Sequence, residues 1–591
     1  MLAALFLGGL PVQAQDLRLP QAIDYNPHPR IFETVLFAHE IDLQLVDGQT
    51  KTQVMAYNGS VPGPTIDANL GDRLIVHFIN LLNEPTTVHW HGVELPAVMD
   101  GSHISQALIP RFGYHRYEFK LNNAATYWYH PHNKTNEQLE RGLYGALIVR
   151  DPSDDRRLRI PSWRERTVFL DDVMVDSNYQ VAPFATDLTQ PMIPWRRAED
   201  LANGRPGTHT LVNGVESHAG KIPTLHVIAG APYRLRCVSS SSGETFRLSI
   251  RDDRQTWYHI GSDQGLWNQA ELIKPINTVL DLRGHHNLMI SNPDTRVGVT
   301  LTPSDRVETV LVANGEIDEE FYIEAHDFVR GEHVAFRDPQ NNLLFGHYHF
   351  DGASAPRNLI RVKIIGQSVN RRRGPWDPPA RLRSRPIVPL TIDPNMKTLP
   401  VVFGHGFPDK VTGDVMFFAQ VQRPEPLLAA VRARTMVMPP PFGPIPMMKQ
   451  TAATGYHVKI GETRVWEIVN FTGGDHNFHT HGFRFQHLDT EYIDLDDARN
   501  NYIEKAQRLT YEDTFRVPKR PNLILGRSFT IVRVISRFDD RSRQRRYRRN
   551  SKDLLAGGLV PTATNSGGWL VHCHHLPHAA RGMMSFITVT R

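Results

Sequence analysis

The sequence predicts an all-β fold divided among several domains. The 42 glycines and 42 prolines, about one residue in seven together, indicate many turns and few long helices. Short alternating segments between these turns are typical of strands. Apolar residues make up 40% of the chain and charged residues 22%, as in soluble globular proteins. A length of 591 residues corresponds to roughly three or four domains.

Two segments near opposite ends of the chain repeat one pattern. Gly71–Gly92 reads GDRLIVHFINLLNEPTTVHWHG, and Gly461–Gly482 reads GETRVWEIVNFTGGDHNFHTHG. Both open with glycine and an acid, alternate through a strand and reach asparagine at the tenth position. Both then place the second histidine of a His-x-His-Gly 20 residues after the first glycine. A weaker third copy, Gly230–Ile250, keeps the strand but carries Ile250 in place of that histidine.

A second pair of segments repeats the other half of the unit. Tyr127–Val149 and Gly568–Val589 share an apolar approach, a His-x-His, a polar turn, a glycine and a closing strand. Correspondence at two places predicts three β domains of one type, the outer two with metal ligands and the middle one structural. The predicted domains span residues 25–152, 153–368 and 369–591. The Pro- and Arg-rich stretch Arg371–Pro389 is interpreted as a linker.

Four histidine clusters hold ten of the 29 histidines. They are His89-Trp90-His91, His130-Pro131-His132, the group His476, His479 and His481, and His572-Cys573-His574 with His578. In a strand, His-x-His places both imidazoles on one face, which suits a metal and serves an apolar core badly. Lone histidines, namely His77, His103, His405 and His575, are interpreted as ordinary structural residues. Four ligand-spaced clusters at corresponding places in a repeat indicate metal binding.

Cys573 indicates that one of the metals is copper. A cysteine with two imidazoles and a weak thioether is the ligand set of a blue-copper site, whereas zinc more often recruits paired cysteines. Cys573, His578 and Met583 fit a loop closing around one copper, and His476 is available as the second imidazole. The other cysteine, Cys237, alternates with polar residues and is predicted to be a buried core thiol.

The neighbours of Cys573 predict a second centre. His572 and His574 alternate to the strand face opposite the thiolate. Together with the other three His-x-His pairs they can bind a second group of metals while Cys573 binds the first. Cys573 is therefore predicted to pass electrons from the copper that accepts them to the centre that uses them.

These four motifs resemble those of the three-domain multicopper oxidases, the laccase-like family, across nearly the whole chain after the N-terminal segment. The run HPHNKTNEQLERGLYGALIV most resembles the bacterial copper-tolerance oxidases, and EDTFRVP, Glu512–Pro518, matches the strand before the last motif. The resemblance implies three cupredoxin domains, each a Greek-key β-sandwich or barrel, and four copper ions. It implies a type 1 copper held by His476, Cys573 and His578 with Met583 axial, a type 2 copper held by His89 and His479, and a type 3 pair held by His91, His130, His132, His481, His572 and His574.

The resemblance also assigns a proton donor. The stretch HWHGVELPAVMDG ends in Asp100–Gly101, and a carboxylate at Asp100 is the family's donor beside the trinuclear centre. Bacterial relatives often carry an acid directly after the last type 1 histidine, where this chain has Ala579. Asp100 is therefore expected to carry more of the proton supply, and Asp100 and Cys573 are the predicted catalytic residues.

The implied reaction is the reduction of O₂ to two waters by electrons from four one-electron donors. A phenol or aromatic amine is the predicted donor, as in laccases. The alternative donor is Cu(I) or Fe(II), since thioethers suit Cu(I) and Thr435–Met448 carries Met436, Met438, Met447 and Met448. A copper-free cupredoxin scaffold is the alternative from another class, against which the complete ligand set argues. A two-domain copper nitrite reductase would be shorter and lacks four paired motifs.

The N-terminus predicts export. Met1–Ala14, MLAALFLGGLPVQA, combines the apolar run Leu2–Leu10 with a small-residue cleavage site and is interpreted as a signal peptide without its basic start. The alternative is a frayed strand. No other stretch of about 18 apolar residues occurs, so a periplasmic or secreted protein without a transmembrane segment is predicted.

The charge pattern does not indicate a nucleic-acid partner. The net charge of +4 is small for this length. The run Arg541–Arg549 holds six arginines without an apolar face, so it is predicted to be an exposed loop, either solvated or attractive to anionic partners. O₂ and a small reducing substrate are the expected partners of a monomer.

Overall fold

The regular elements described in the computed structural model are nearly all β-strands, which confirms the all-β prediction. It describes residues 15–46, 50–185, 205, 207–218, 221–276, 297–326, 335–337, 343–345, 356–368, 376–393, 395–405, 417–418, 456–472, 474–495, 497–518, 528–539, 568–580 and 583–590. The predicted signal peptide, the four methionines of Thr435–Met448 and the run Arg541–Arg549 lie outside the described residues. The described α-helices are short: α1 (Thr135–Glu140), α2 (Pro152–Leu158) and α3 (Leu576–Ala580). Across these ranges, no helix has the length and apolar character needed to cross a membrane.

The strands fall into three successive groups, each with its own sheets. The first group contains β1 (Ile31–Leu43), β2 (Thr52–Tyr57), β3 (Gly63–Asn69), β4 (Arg73–Asn80), β5 (His89–His91), β6 (Tyr114–Lys120), β7 (Ala125–His130) and β8 (Gly145–Arg150). They form two four-stranded sheets, in the orders β2-β1-β4-β6 and β3-β8-β7-β5. Buried side chains from both sheets, among them Phe78, Trp90 and Tyr129, form one apolar core.

The second group lies between residues 165 and 367. It contains β9 (Glu165–Val173), β10 (His209–Val212), β11 (Val215–Glu216), β12 (Thr224–Ala229), β13 (Pro232–Ser239), β14 (Phe246–Ser249), β15 (Thr256–Ser262), β16 (Gly265–Leu272), β17 (Val299–Leu301), β18 (Arg306–Val312), β19 (Glu320–His326), β20 (Ala335–Arg337), β21 (Leu343–Phe345) and β22 (Arg357–Gln367). A seven-stranded sheet, β11-β10-β9-β13-β18-β15-β16, and a five-stranded sheet, β12-β22-β19-β14-β17, accompany the β20-β21 hairpin. Cys237 lies in their core, as predicted, and burial raises the pKa of its thiol to about 12.

The third group carries the last two histidine motifs. It contains β23 (Thr398–His405), β24 (Phe417–Phe418), β25 (Tyr456–Lys459), β26 (Thr463–Asn470), β27 (His476–Thr480), β28 (Phe485–Asp494), β29 (Tyr502–Lys505), β30 (Thr514–Val517), β31 (Ser528–Arg537), β32 (Gly568–Cys573) and β33 (Met584–Thr590). Its sheets have the orders β24-β23-β26-β31-β28-β29 and β25-β33-β32-β27-β30. Cys573 and Met583 belong to its apolar core, together with Trp466 and Phe478.

The glycines that open the three repeat copies have a common backbone reason. Gly71, Gly230 and Gly461 have φ angles of +85°, +75° and +83°. This left-handed region is open to glycine at little cost and disfavours residues with a Cβ. Each glycine ends a turn directly before a long strand, β4, β13 or β26, so the shared first letter reflects a shared turn.

Candidate metal centres

The four histidine motifs lie on two pairs of neighbouring strands. In the first group β5 pairs antiparallel with β7, and His89 lies opposite His130. In the third group β27 pairs antiparallel with β32, and His479 lies opposite His572. Side chains alternate across a strand, so the imidazoles next to Cys573 point away from its sulfur. Two separate sets of metal donors result.

The first set, here called the sulfur centre, consists of His476, Cys573 and His578. The Sγ atom of Cys573 lies 3.5 Å from Nδ1 of His476 and 3.7 Å from Nδ1 of His578. The two Nδ1 atoms lie 3.2 Å apart. The three side chains are at most 3% exposed. One thiol and two imidazoles facing one point fit a copper ion and match the predicted set.

Met583 closes the loop that leaves Cys573. Its side chain is fully buried in the same apolar core. Its N–H donates to the carbonyl of His578 at 3.1 Å, and its carbonyl accepts from the N–H of Cys573 at 3.0 Å. These main-chain bonds hold the predicted axial residue beside both ends of the loop.

The second set, here called the histidine centre, contains eight imidazoles from both ends of the chain. Its members are His89, His91, His130, His132, His479, His481, His572 and His574, none more than 6% exposed. His89 stacks on His481 with ring centroids 3.9 Å apart, and His91 stacks on His479 at 4.0 Å. Three overlapping trios have their ligand nitrogens within 4.8 Å of one another: His89, His91 and His130; His89, His479 and His481; and His132, His481 and His572.

Backbone carbonyls fix the orientation of half of these rings. The Nδ1 atoms of His89, His130, His479 and His572 donate to the carbonyls of Asp100, Pro131, Asp513 and Cys573 at 2.7 to 2.9 Å. A carbonyl can only accept, so each Nδ1 carries the ring proton and each Nε2 carries a lone pair. A bond of this kind is how proteins usually aim metal-binding imidazoles.

The inward-facing nitrogens fit metal coordination. Buried ring nitrogens with no hydrogen-bond partner are Nε2 of His89, His130, His132 and His479, Nδ1 of His91, and both nitrogens of His574. The Nε2 atoms of His481 and His572 face each other at 3.0 Å. A buried polar atom without a partner costs free energy, and this many in one cluster call for a shared ligand. Metal ions would satisfy one nitrogen of each of these rings.

Burial keeps these imidazoles neutral. It lowers the pKa of all eight, to about 3 for His130 and about 4 for His572, and neighbouring imidazoles lower most of them further. A neutral ring has the lone pair that a metal needs. The histidine centre can therefore bind metal throughout the neutral pH range without first losing protons.

Asp100 lies against the histidine centre, where the sequence places it. Its Oδ2 accepts from Nδ1 of His481 at 2.8 Å, and its backbone carbonyl accepts from His89. The side chain is 1% exposed. Burial raises the pKa of this carboxyl to about 7, although hydrogen bonds from Ser102 oppose the shift.

Asp513 is a second acid at this centre, and the sequence reasoning missed it. Its Oδ1 lies 3.1 Å from Nε2 of His91 and 3.6 Å from Nδ1 of His479. His91, His479 and Asp513 form a further group with donor atoms close enough for a metal. The sequence did contain a signal for this acid, because the pair Glu512–Asp513 directly before β30 belongs to the EDTFRVP segment that matches the family. No function was predicted for that pair from the sequence.

Some histidines interpreted as ordinary lie close to the centres. The ring of His103 lies 6.0 Å from that of His132, and the ring of His575 lies 5.4 Å from that of His578. His77 has a structural environment, bonded to Tyr114 and Glu33. The side chain of His405 is outside the described residues. Ala579 is buried in α3.

Two family models described as multicopper oxidase match residues 42–154 and 423–530. Laccase-2 of Cryptococcus neoformans var. grubii is 32% identical over 214 residues, which cover 33% of this chain and 34% of that protein. The multicopper oxidase MmcO of Mycobacterium tuberculosis is 28% identical over 218 residues, which cover 35% of this chain and 42% of that protein. The chain thus aligns with less than half the length of these relatives.

The fold comparison extends over the whole chain. A solved multicopper oxidase of Campylobacter jejuni, described as a metallo-oxidase, matches with a TM-score of 0.63 at 21% identity, over 99% of this chain and 100% of that one. This likeness shows the fold of cupredoxin-like domains that the sequence predicts. The family models at both ends of the chain agree with the resemblance of its histidine motifs to multicopper oxidases.

Proposed function

We propose that this protein couples the one-electron oxidation of four donor equivalents at a type 1 copper to the four-electron reduction of O₂ to two waters. The observation that carries the proposal is the pair of buried donor sets on either face of β32. Cys573 belongs to the sulfur centre, and its neighbours His572 and His574 belong to the histidine centre. Bound there, copper would supply reversible one-electron transfer and the reduction of O₂.

The proposed ligand assignment is the one that the family resemblance implies. His476, Cys573, His578 and Met583 would hold the type 1 copper. His89 and His479 would hold the type 2 copper. The type 3 pair would be held by His132, His481 and His572 on one side and by His91, His130 and His574 on the other, four copper ions in all. The proximity of His132, His481 and His572 supports this division.

Cys573 is the proposed electron path between the centres. His572 and His574 are its direct neighbours in the chain, each joined to it by one peptide bond. The N–H of His574 donates to the carbonyl of Asn477 at 2.8 Å, which holds the strand against β27. Electrons accepted at the sulfur centre need to cross only this short covalent stretch.

Asp100 is the proposed proton source for the histidine centre. With its pKa raised to about 7, the carboxyl can hold and release a proton near neutral pH. Its Oδ2 already contacts the Nδ1 proton of His481. Ala579, at the position of the second acid of many relatives, has no proton to give, which assigns more of the supply to Asp100.

The three strand groups support the proposed domains 25–152, 153–368 and 369–591, since each group forms separate sheets. Export to the periplasm or outside the cell, and a monomeric state, are proposed from the sequence. A phenol or aromatic amine is the proposed donor, and the similarity to Laccase-2 supports it. Cu(I) or Fe(II) is the second candidate, for which the methionines of Thr435–Met448 are the supporting feature.

The test is copper content followed by a donor panel. Purified protein is loaded with copper, and O₂ consumption is measured with a phenol, with Cu(I) and with Fe(II). A blue protein that consumes O₂ with the phenol supports the proposal. Turnover with metal ions alone selects the second candidate. Failure to bind copper would reject both in favour of a copper-free scaffold.

A further inference from the structure

Arg306, the first residue of β18, links the strand group without candidate metal ligands to the histidine centre. Its side chain is 0% exposed. Its guanidinium makes a two-pronged contact with the Asp513 carboxylate, with Nη1 at 2.8 Å from Oδ1 and Nη2 bonded to Oδ2. Its Nε donates to the carbonyl of Thr126 at 3.2 Å, on β7 of the first group. One side chain thus joins all three strand groups.

The Asp513 carboxylate is oriented from several directions. Besides Arg306, the side-chain amide of Gln264 donates to its Oδ2. The backbone N–H of Thr514 donates to Asp263 at 2.9 Å, which fixes the main chain at this point. Arg306 itself pairs with Asp263 at 3.1 Å. A planar guanidinium facing a carboxylate sets both the angle and the charge of its partner.

The consequence appears at His91. His91 is the one imidazole of the described centre whose Nε2, rather than Nδ1, faces an anchoring group: Asp513 Oδ1 at 3.1 Å and Thr514 Oγ1 at 3.3 Å. Its Nδ1 is buried without a hydrogen-bond partner and is left for a metal. Donation from Nε2 to a charged carboxylate selects the tautomer in which Nδ1 carries the lone pair.

Gly92, which follows His91, leaves room for this contact. Its φ is +81°, and a Cβ at this position would lie 2.5 Å from both Nη2 of Arg306 and Oδ2 of Asp513. The glycine of the first His-x-His-Gly motif therefore lets the Arg306–Asp513 pair approach the backbone beside a candidate ligand.

We propose that Arg306 is a positioning residue for the trinuclear copper site. Arg306 holds the Asp513 carboxylate so that His91 presents Nδ1 to its type 3 copper. The middle domain thereby shapes the trinuclear centre, although none of its described residues is a proposed copper ligand. This inference rests on the proposed function. The alternative is a structural clamp that only holds the domains together.

The test compares Arg306→Gln and Arg306→Lys with Arg234→Gln. Arg234 is an equally buried arginine of the same sheet that pairs with Glu308 and contacts no residue of the histidine centre. Copper per chain, the blue absorbance of the type 1 copper and the paramagnetic resonance of the type 2 copper are measured. We expect Arg306→Gln to keep the blue absorbance but weaken copper binding at the trinuclear site about 10–100-fold, the usual effect of removing a group that orients a ligand. Arg306→Lys keeps the charge without the fork and should give a smaller loss.

A double substitution separates positioning from clamping. If Arg306 acts through Asp513, Arg306→Gln in an Asp513→Asn background should cause no further loss of trinuclear copper. Additive losses would overturn the proposal. The proposal would also be overturned if Arg306→Gln and Arg306→Lys bound a full complement of copper, kept the type 2 signal unchanged and lost only as much stability as Arg234→Gln. If the wild-type protein never took up copper, the proposed function itself would be rejected. That result differs from a defect in copper binding that is confined to the Arg306 variants.

Discussion

Substitution of Asp100 by asparagine isolates the effect of one buried carboxyl. Burial raises its pKa from 3.8 to about 7, and at about 1.36 kcal/mol per pKa unit the ionised form costs about 4 kcal/mol in the folded state. Asparagine keeps the shape and can still accept the hydrogen bond from His481. The variant therefore removes the titration while preserving the contact.

The sign of the effect follows from proton binding. Between about pH 4 and pH 7 the folded protein holds a proton on Asp100 that the unfolded chain has released, so this group adds stability as the pH falls. Urea unfolding of the metal-free wild type and Asp100→Asn should therefore diverge. Over that range the wild type should gain about 4 kcal/mol relative to the variant.

Turnover of the copper-loaded enzyme should depend on the same proton. Asp100→Asn should bind four coppers and turn over about 10²- to 10⁴-fold more slowly, the usual contribution of a general acid, because asparagine cannot supply a proton to the centre.

The matched control is Asp171→Asn. Burial also raises the pKa of Asp171, whose carboxyl accepts from the backbone N–H of Asp172 and contacts no candidate ligand. This variant should shift stability with pH in the same direction and leave turnover unchanged. The raised pKa would be refuted if the difference in unfolding free energy between the wild type and Asp100→Asn did not change with pH. Unchanged turnover of Asp100→Asn would show that another acid serves the centre.

Three further substitutions and one deletion test other parts of the assignment. Cys573→Ser should abolish the blue absorbance while circular dichroism still reports the β fold; a blue variant would contradict the thiolate assignment. His130→Ala should keep the blue colour and type 1 reduction in stopped-flow but stop O₂ consumption, so unimpaired turnover would count against it as a type 3 ligand. Thr472→Val removes the hydroxyl that lies 2.7 Å from Nε2 of His476 and accepts its proton. The imidazole then loses an acceptor that makes it a stronger electron donor, so the reduction potential of the type 1 copper should rise. Thr472→Ser should return the potential to the wild-type value, whereas equal potentials in the wild type and both variants would exclude the effect. Deletion of Arg541–Arg549 should leave copper content and turnover of a neutral phenol nearly unchanged, whereas loss of copper would show a structural role.

The repetitive part of the molecule could be predicted because it is local. Alternation places both histidines of His89-Trp90-His91 on one face, and the structure shows both rings in the histidine centre. The loop from Cys573 to Met583 could be predicted for the same reason, since its candidate ligands lie within ten residues of one another in the sequence. The left-handed Gly71 and Gly461 mark the same turn before equivalent strands.

The missed part depends on contacts between residues far apart in sequence. Asp513 and Arg306 belong to no repeat, and neither has a spacing that points to the other. Their pairing requires that β18 and the start of β30 meet beside His91, which follows from the packing of separate sheets rather than from any local pattern. The proximity of His103 to His132 was hidden in the same way.

The contact between His91 and His574, with ring centroids 4.9 Å apart, constrains the order of events during synthesis. β5 and β7 emerge first, and the strand that completes their metal site, β32, follows more than 400 residues later. The imidazoles of β5 and β7 therefore have no partners until β27 and β32 have been made and have paired. On the proposed assignment, copper can fill the trinuclear site only after that pairing, so maturation depends on copper supplied where this late step of folding takes place.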